Sequence, residues 1–193
     1  MSSTNRGYGR HKSDYYVTPV DEISKFFKAF EKVNQNWSKG KLILDPCAGG
    51  DNLHDMSYPA MLKKVGVLNN NIYTVDVRMD SRAENIRDNY LDLDFTNMFD
   101  VVITNPPFNL ALPIIKKALN DTKRGGWVIM LQRLNFLGSI KRKLFWDNHK
   151  PWYIFVHHKR MSFTDNGNTD SIEYAHFVWK KDYEPTSSKL LVI

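Results

Sequence analysis

The sequence predicts a doubly wound α/β chain whose sheet is mostly parallel and ends in an antiparallel C-terminal hairpin. Three observations lead there. Short apolar runs rich in Val, Ile, Leu and aromatics recur along the chain: KLILD, NIYTVD, FDVVITN, GWVIML, WYIFV and YAHFVW. Segments of helical length separate the first four, and strands alternating with helices argue for a parallel sheet covered on both faces. The last two runs instead flank a loop with Asn166-Gly167-Asn168, which suits a hairpin better than a crossover.

Composition bounds the rest. At 193 residues and 42% hydrophobic content the chain can bury one sizeable core. We expect a flexible basic arm over residues 1–13 and a single domain over 14–193. No apolar run reaches the ~18 residues of a membrane span, and the polar start MSSTNRGYGRHKSDYY lacks the apolar stretch of a secretory signal. A cytoplasmic setting without membrane attachment is the expectation. The single cysteine, Cys47, excludes an internal disulfide and a multi-cysteine zinc site, so no metal is expected. Lys plus Arg number 27 against 21 Asp plus Glu, a net charge of +6. The cations cluster at Arg6 to Lys12, at Lys141, Arg142 and Lys143, and at His157 to Arg160, interleaved with Phe136, Phe145, Trp146, Trp152 and Phe163. That mixture suits a nucleic-acid surface, where phosphates meet charge and bases meet rings. It equally describes a solvated rim over core aromatics.

Taken in order, the first element is a helix. In YYVTPVDEISKFFKAFEKV, Val20, Ile23, Phe26, Phe27, Phe30 and Val33 fall at helical spacing. Thr18 reads as its N-cap, Pro19 as its first residue and Asp21 as part of a capping box. The next three strands end in polar residues: KLIL at Asp45, NIYTV at Asp76 and FDVVIT at Asn105. In an open parallel sheet, ligands bind outside the carboxyl ends of the strands. One such residue is commonly only a helix cap, but three in series point at one place. The small-residue turn PCAGGD after Asp45 lets backbone approach a ligand and can feed a helix N-terminus. Asp76, one βα unit later, stands where Rossmann-like folds hold a ribose diol. The turn lacks G-x-G-x-x-G spacing, so a nucleoside-like ligand fits better than a dinucleotide. Gly125-Gly126 reads as a helix stop and loop before GWVIML.

NPPF at 105 to 108 places an amide, two stiff residues and a ring after the third run. A rigid turn into a helix near Leu110 would explain the prolines. It would not require Asn before them or an aromatic after.

DPCAGGD at 45–51 followed by NPPF, with YYVTP upstream, resembles S-adenosylmethionine-dependent amino methyltransferases of nucleic-acid bases, adenine-N6 enzymes above all, in the gamma motif order. VDVRMDSRA, RLNFLGS and KRMSFTDNGNTDSIEYAHFVW resemble the small phage-type members, and the likeness runs from about Tyr15 to Trp179. The resemblance implies a class I methyltransferase fold, S-adenosylmethionine as cofactor, and DNA as partner, with RNA possible, in a bacterial or phage-infected cell. It implies that the Asn105 oxygen and the Pro106 carbonyl hold the acceptor amine, that Pro106 and Pro107 fix those groups, and that Phe108 stacks on the base. Asp45, Pro46, Cys47, Ala48 and Gly49 would lie on the methionine side of the cofactor, with Cys47 packing. Thr18 would sit by the methionine carboxylate and Asp76 on the ribose. Asn89 and Tyr90 would lie beside the adenine, with Asp92 as the alternative. Arg133, Lys141, Arg142, Lys143, Lys159 and Arg160 would contact phosphates, Phe163 would form a second stacking wall, and His157 and His158 are further phosphate candidates. Asp51 departs from the pattern, standing where many relatives place a glycine. The absence of His-x-Glu with paired cysteines argues against a zinc deaminase. Three other readings stay open: an RNA base methyltransferase, a glutamine-N5 methyltransferase, which the basic C-terminal third disfavours, and a cofactor-binding regulatory module that has lost catalysis, which an intact NPPF disfavours.

Overall fold

The computed structural model describes residues 16–163 and 171–193; the arm expected over 1–13 and the Asn166-Gly167-Asn168 loop lie outside the described residues. Helix α1 (Val20–Val33) buries Ile23, Phe26, Phe27 and Phe30 of the stripe its spacing predicts, while Val20 and Val33, at its two ends, are exposed. Each such side chain removed from water contributes roughly 1.5–3 kcal/mol. Its start differs from expectation. Pro19 is the N-cap, since its carbonyl accepts from the Glu22 and Ile23 amides, and no side chain caps the helix. Thr18 therefore lies one residue outside the cap, and its hydroxyl is used elsewhere.

The chain continues through β1 (Ile43–Asp45), α2 (Ser57–Lys64), β2 (Ile72–Thr74), β3 (Phe99–Thr104), α3 (Ala111–Asp121), β4 (Thr122–Arg133), α4 (Lys143–Asn148), β5 (Tyr153–Val156), β6 (Tyr174–Lys180) and β7 (Lys189–Val192). Among the described residues these strands form one sheet in the order β2-β1-β3-β4-β6-β5-β7. β1 pairs in parallel with β2 and β3, and β3 with β4, while β6 runs antiparallel between β4 and β5. This is the mostly parallel sheet with an antiparallel C-terminal pair. Successive residues alternate between its faces. Ile43 and Ile103 pack with α1 and α2, whereas Leu44 and Val102 pack with α3 and α4. β7 pairs in parallel with β5 and was not foreseen; as a half-exposed edge strand, KLLV shows no buried alternation to read.

Two further expectations are corrected. Residues 77–98 contain no α-helix, only a 3₁₀ turn at Tyr90–Asp92. This segment is rich in Asp and Asn, whose side chains compete for backbone groups. Asn85 accepts from the Thr74 amide at 2.8 Å, and Ile86 bridges to Val75, so the chain first runs along the edge of β2. It then returns across the sheet to β3 without an α-helix, packing Tyr90 and Phe95 on the face that α3 covers. Gly125-Gly126 is likewise not a loop. Both glycines lie inside β4, beside the register shift that separates Phe99 from Val101 on β3. A Cβ on Gly126 would stand 2.5 Å from the Asp100 carbonyl oxygen, so the close strand approach requires glycine.

Candidate active site

The segments following β1, β2 and β3 meet at the carboxyl edge of the sheet around a cleft partly open to solvent. Tyr16, Val17 and Thr18 approach it before α1, and Ser57 and Tyr58 from the first turn of α2. Pro46, Cys47, Ala48 and Gly49, Asp76, Asn89 and Tyr90, and Asn105 and Pro107 line it, so residues separate in sequence share one wall. Burial pushes the Cys47 thiol pKa up, which fits packing and not thiolate chemistry.

The glycine turn is held by carboxylates. Gly49 and Gly50 adopt φ of +69° and +75°, the left-handed region that glycine occupies without strain. The Gly49 amide donates to Asp76 Oδ2 and the Arg78 amide to Asp76 Oδ1, each at 2.8 Å. Each oxygen retains a lone pair for a ligand hydroxyl. Asp45 sits beneath the turn, buried, with Oδ1 accepting from the Cys47 amide at 3.2 Å and Oδ2 without a partner. Burial lifts its pKa to about 7, and the Asp76 charge pushes the same way. Asp51, the departure from the familial turn, accepts from the Leu53 and His54 amides at 2.8 and 2.9 Å, so it folds its own loop. Arg78 was missed from the sequence. Its Nη2 donates to the Gly50 carbonyl at 3.1 Å and braces the turn.

Asn105 leaves β3 at its carboxyl end. Its Nδ2 donates to Thr18 Oγ1 at 3.0 Å, and its Oδ1 is buried without a partner. The Thr18 hydroxyl thus orients the carboxamide instead of capping a helix. Asn89 is occupied locally, accepting from Leu91 and donating to Asp92 at 2.7 Å. The Tyr90 hydroxyl donates to Asp121 at 2.7 Å, and Lys117 Nζ lies over the ring at 4.7 Å from its centre, so the buried ring lines the cleft with one face already covered.

Phe108 faces a second, shallower groove, together with Gln132, Arg133, Asn135, Phe136, Gly138 and Arg142. The Arg133 guanidinium lies 4.4 Å from the Phe108 ring centre, and that of Arg142 lies 4.7 Å from Phe136. Arg142 also donates to the Asn135 carbonyl at 3.3 Å. Phe163 packs against Tyr174 and Tyr16 at 4.9 and 6.1 Å. Arg160 pairs with Glu173 at 3.4 Å, while Lys141, Lys143 and Lys159 are exposed outside the groove lining. His158 bonds the Ile193 carbonyl.

His157 is not a phosphate contact. It is buried in a hydrogen-bonded chain of four side chains: Glu22 Oε2 to His157 Nδ1 at 2.8 Å, His157 Nε2 to His176 Nδ1 at 2.8 Å, and His176 Nε2 to the Tyr58 hydroxyl at 2.9 Å. The Phe26 ring stacks on His176 at 4.0 Å. Burial lowers the pKa of both imidazoles. For Glu22 burial alone would raise the pKa, but hydrogen bonds from Lys25 and His157 bring it below the ordinary value. No local pattern links positions this far apart.

No protein-family model matches the chain. No curated protein matches it either. Solved structures do. A Listeria monocytogenes protein described as a class I S-adenosylmethionine-dependent methyltransferase superposes with a TM-score of 0.68 at 19% identity, over 96% of this chain and 68% of that one. A Pyrococcus horikoshii protein described as an RNA methyltransferase gives 0.65 at 15% identity, over 93% of each. The type IIG restriction endonuclease BpuSI gives 0.65 at 14% identity, with 94% of this chain spanning 27% of that one. At these identities the likeness is one of fold, and the fold is that of class I methyltransferases. Among the described residues no helix is long and apolar enough to cross a membrane, and no His, Cys, Asp and Glu cluster is arranged to hold a metal.

Proposed function

We propose that this protein is an enzyme that transfers a methyl group from S-adenosylmethionine to the exocyclic N6 amine of adenine in DNA. The observation that supports it most is Asn105: a carboxamide at the end of β3, held through Nδ2 by Thr18, with an unpartnered oxygen on the wall of a glycine-turn cleft. The cleft fits the cofactor. The left-handed glycines bring backbone close, Asp76 keeps lone pairs for ribose hydroxyls, and the Tyr90 ring offers an apolar face to an adenine.

The bound cofactor would supply a methyl group activated by a sulfonium. The chain's task is then to align the acceptor and exclude water. An adenine amine is a poor nucleophile because its lone pair is delocalised into the ring. Asn105 Oδ1 and the Pro106 carbonyl each accept one amine hydrogen, which favours a pyramidal nitrogen with its lone pair directed at the methyl. Proline holds the backbone there through its fixed φ. Phe108 stacks on the base, a contact of roughly 1–3 kcal/mol in single-strand complexes, with Arg133 shifting to admit it. Duplex DNA must present its adenine flipped out of the stack. Arg133, Lys141, Arg142, Lys143, Lys159 and Arg160 steer the phosphates and Phe163 walls the far side. A fold shared with a restriction endonuclease supports DNA; the match to an RNA methyltransferase over nearly its full length favours RNA as the second reading.

The test is incubation with methyl-labelled cofactor and DNA, RNA or a glutamine peptide, followed by mass spectrometry of the modified unit. N6-methyladenine in DNA is expected. Methylcytosine as sole product overturns the adenine assignment, methylated RNA beside unmodified DNA selects the second reading, and cofactor binding without any turnover makes the protein a regulatory module.

A further inference from the structure

The chain from Glu22 to Tyr58 has a single self-consistent placement of hydrogens while Glu22 is ionised and both imidazoles are neutral. A carboxylate only accepts, so His157 carries its hydrogen on Nδ1 and donates to Glu22 at 2.8 Å. His157 Nε2 is then a lone pair, so His176 must donate from Nδ1, again at 2.8 Å. His176 Nε2 is in turn a lone pair, and the Tyr58 hydroxyl donates to it at 2.9 Å. The one hydrogen Tyr58 owns is spent inside the protein. A hydrogen-bonded chain sealed this way costs little to bury, whereas the reverse polarity would leave two acceptors facing each other at Glu22.

Tyr58 lies in the first turn of α2, on the cleft wall that Asn105 also lines. Its oxygen, like Asn105 Oδ1, has lone pairs to present and no hydrogen to give. We propose that Tyr58 is a positioning residue whose acceptor-only oxygen, polarised by Glu22, His157 and His176, makes the cleft prefer a positively charged cofactor over its uncharged product. This rests on the reading of the cleft as a site for S-adenosylmethionine. Before transfer the ligand sulfur bears a positive charge; afterwards it is a neutral thioether. Acceptor dipoles in a partly desolvated cleft attract the first far more than the second. The product is released in consequence, although both ligands share their ribose, adenine and amino-acid parts.

Two measurements test this. Nitrogen-15 spectra of histidine-labelled protein without ligand, at neutral pH, are expected to show His157 and His176 as neutral imidazoles with hydrogen on Nδ1. An Nε2–H tautomer or an imidazolium at either position overturns the proposal. Calorimetry of Tyr58→Phe is expected to show S-adenosylmethionine binding about tenfold weaker and S-adenosylhomocysteine changed by less than about twofold. Equal weakening of both would mean that Tyr58 only supports the fold, and the proposal fails alone. If the wild-type protein binds neither ligand, the cofactor reading fails and takes this one with it. Should the variant not fold, calorimetry of the wild type decides: tighter binding of S-adenosylmethionine than of S-adenosylhomocysteine is expected, and equal or weaker binding overturns the proposal.

Discussion

The cleft and the groove beside it are held by different physics. In the cleft each polar group is fixed by backbone or by a buried partner: Asp76 by two amides, Asn105 by Thr18, Tyr58 by His176. In the groove the cations rest on ring faces, Arg133 on Phe108 and Arg142 on Phe136, within reach of solvent and salt. The first arrangement is pre-organised and suits a ligand of one shape. The second is adaptable and suits a polyanion whose backbone must slide into register. Damage to the cleft should therefore be steep and specific, and damage to the groove graded and dependent on ionic strength.

Asn105→Ala should show the largest effect. We expect turnover to fall by about 10²–10³-fold, the usual loss for one pre-organised polar group at a reacting centre. Cofactor affinity by calorimetry should move less than about threefold. Loss of both in proportion would make Asn105 a scaffold residue and erase the distinction between holding the acceptor and holding the cofactor.

Gly50→Ala probes the turn itself. At φ +75° the new Cβ would lie 2.9 Å from the Arg82 Cβ, so chemical denaturation should show a loss of about 1–3 kcal/mol. A neutral result would mean the turn yields easily and the cleft is less rigid than the groove comparison requires.

The buried chain predicts a pH dependence of stability, to which His149, its pKa lowered by burial beside Phe145, adds in the same sense. Unfolded imidazoles take up protons near 6.5, while burial keeps His157 and His176 neutral to lower pH. Below 6.5 the unfolded imidazoles then bind more protons than the folded ones, so the stability these two residues contribute is complete above that value and falls as pH drops through it. The slope reaches at most about 1.4 kcal/mol per pH unit for each imidazole. Glu22, whose folded pKa is lowered, adds a loss only below its ordinary 4.5. Asp45 works in the opposite direction, because its carboxyl, with a pKa lifted to about 7, contributes stability that is lost as pH rises through that value. In Asp45→Asn, where that contribution is removed, a melting temperature that stays level from pH 7.5 to 5.5 would contradict the neutral assignment.

Lys141→Ala should show the smallest effect: nucleic-acid affinity lower by a few-fold, a salt slope shallower by about one unit, and unchanged cofactor binding. An equally large effect at every salt concentration would mean that the residue reads a base or braces the fold, and the proposed contrast would need redrawing.

The cleft was the more legible of the two regions. Asp45, Asp76 and Asn105 could be found because each ends an apolar run, and a strand that stops at a polar residue leaves it at the sheet's edge. The glycine turn was legible because small residues announce close backbone approach. The path between β2 and β3 was misjudged, since length alone suggested a helix while Asp and Asn side chains claimed the backbone. Gly125-Gly126 misled in the same way. A glycine pair ordinarily ends a helix, and only the carbonyl of Asp100 on the neighbouring strand shows why these two sit within β4.

By itself, the sequence determined six of the seven strands among the described residues, where three of them end, and which short motifs stand there, because periodicity and turn chemistry are written in neighbouring residues. Only the tertiary structure decided that Thr18 grips Asn105, that Arg133 covers Phe108, and that Glu22, His157, His176 and Tyr58 form one line. His157 and Glu22 are 135 positions apart, and Tyr58 and His176 are 118. A hydrogen bond between such residues exists only once the sheet has brought their strands and helices together, so nothing local foretells it.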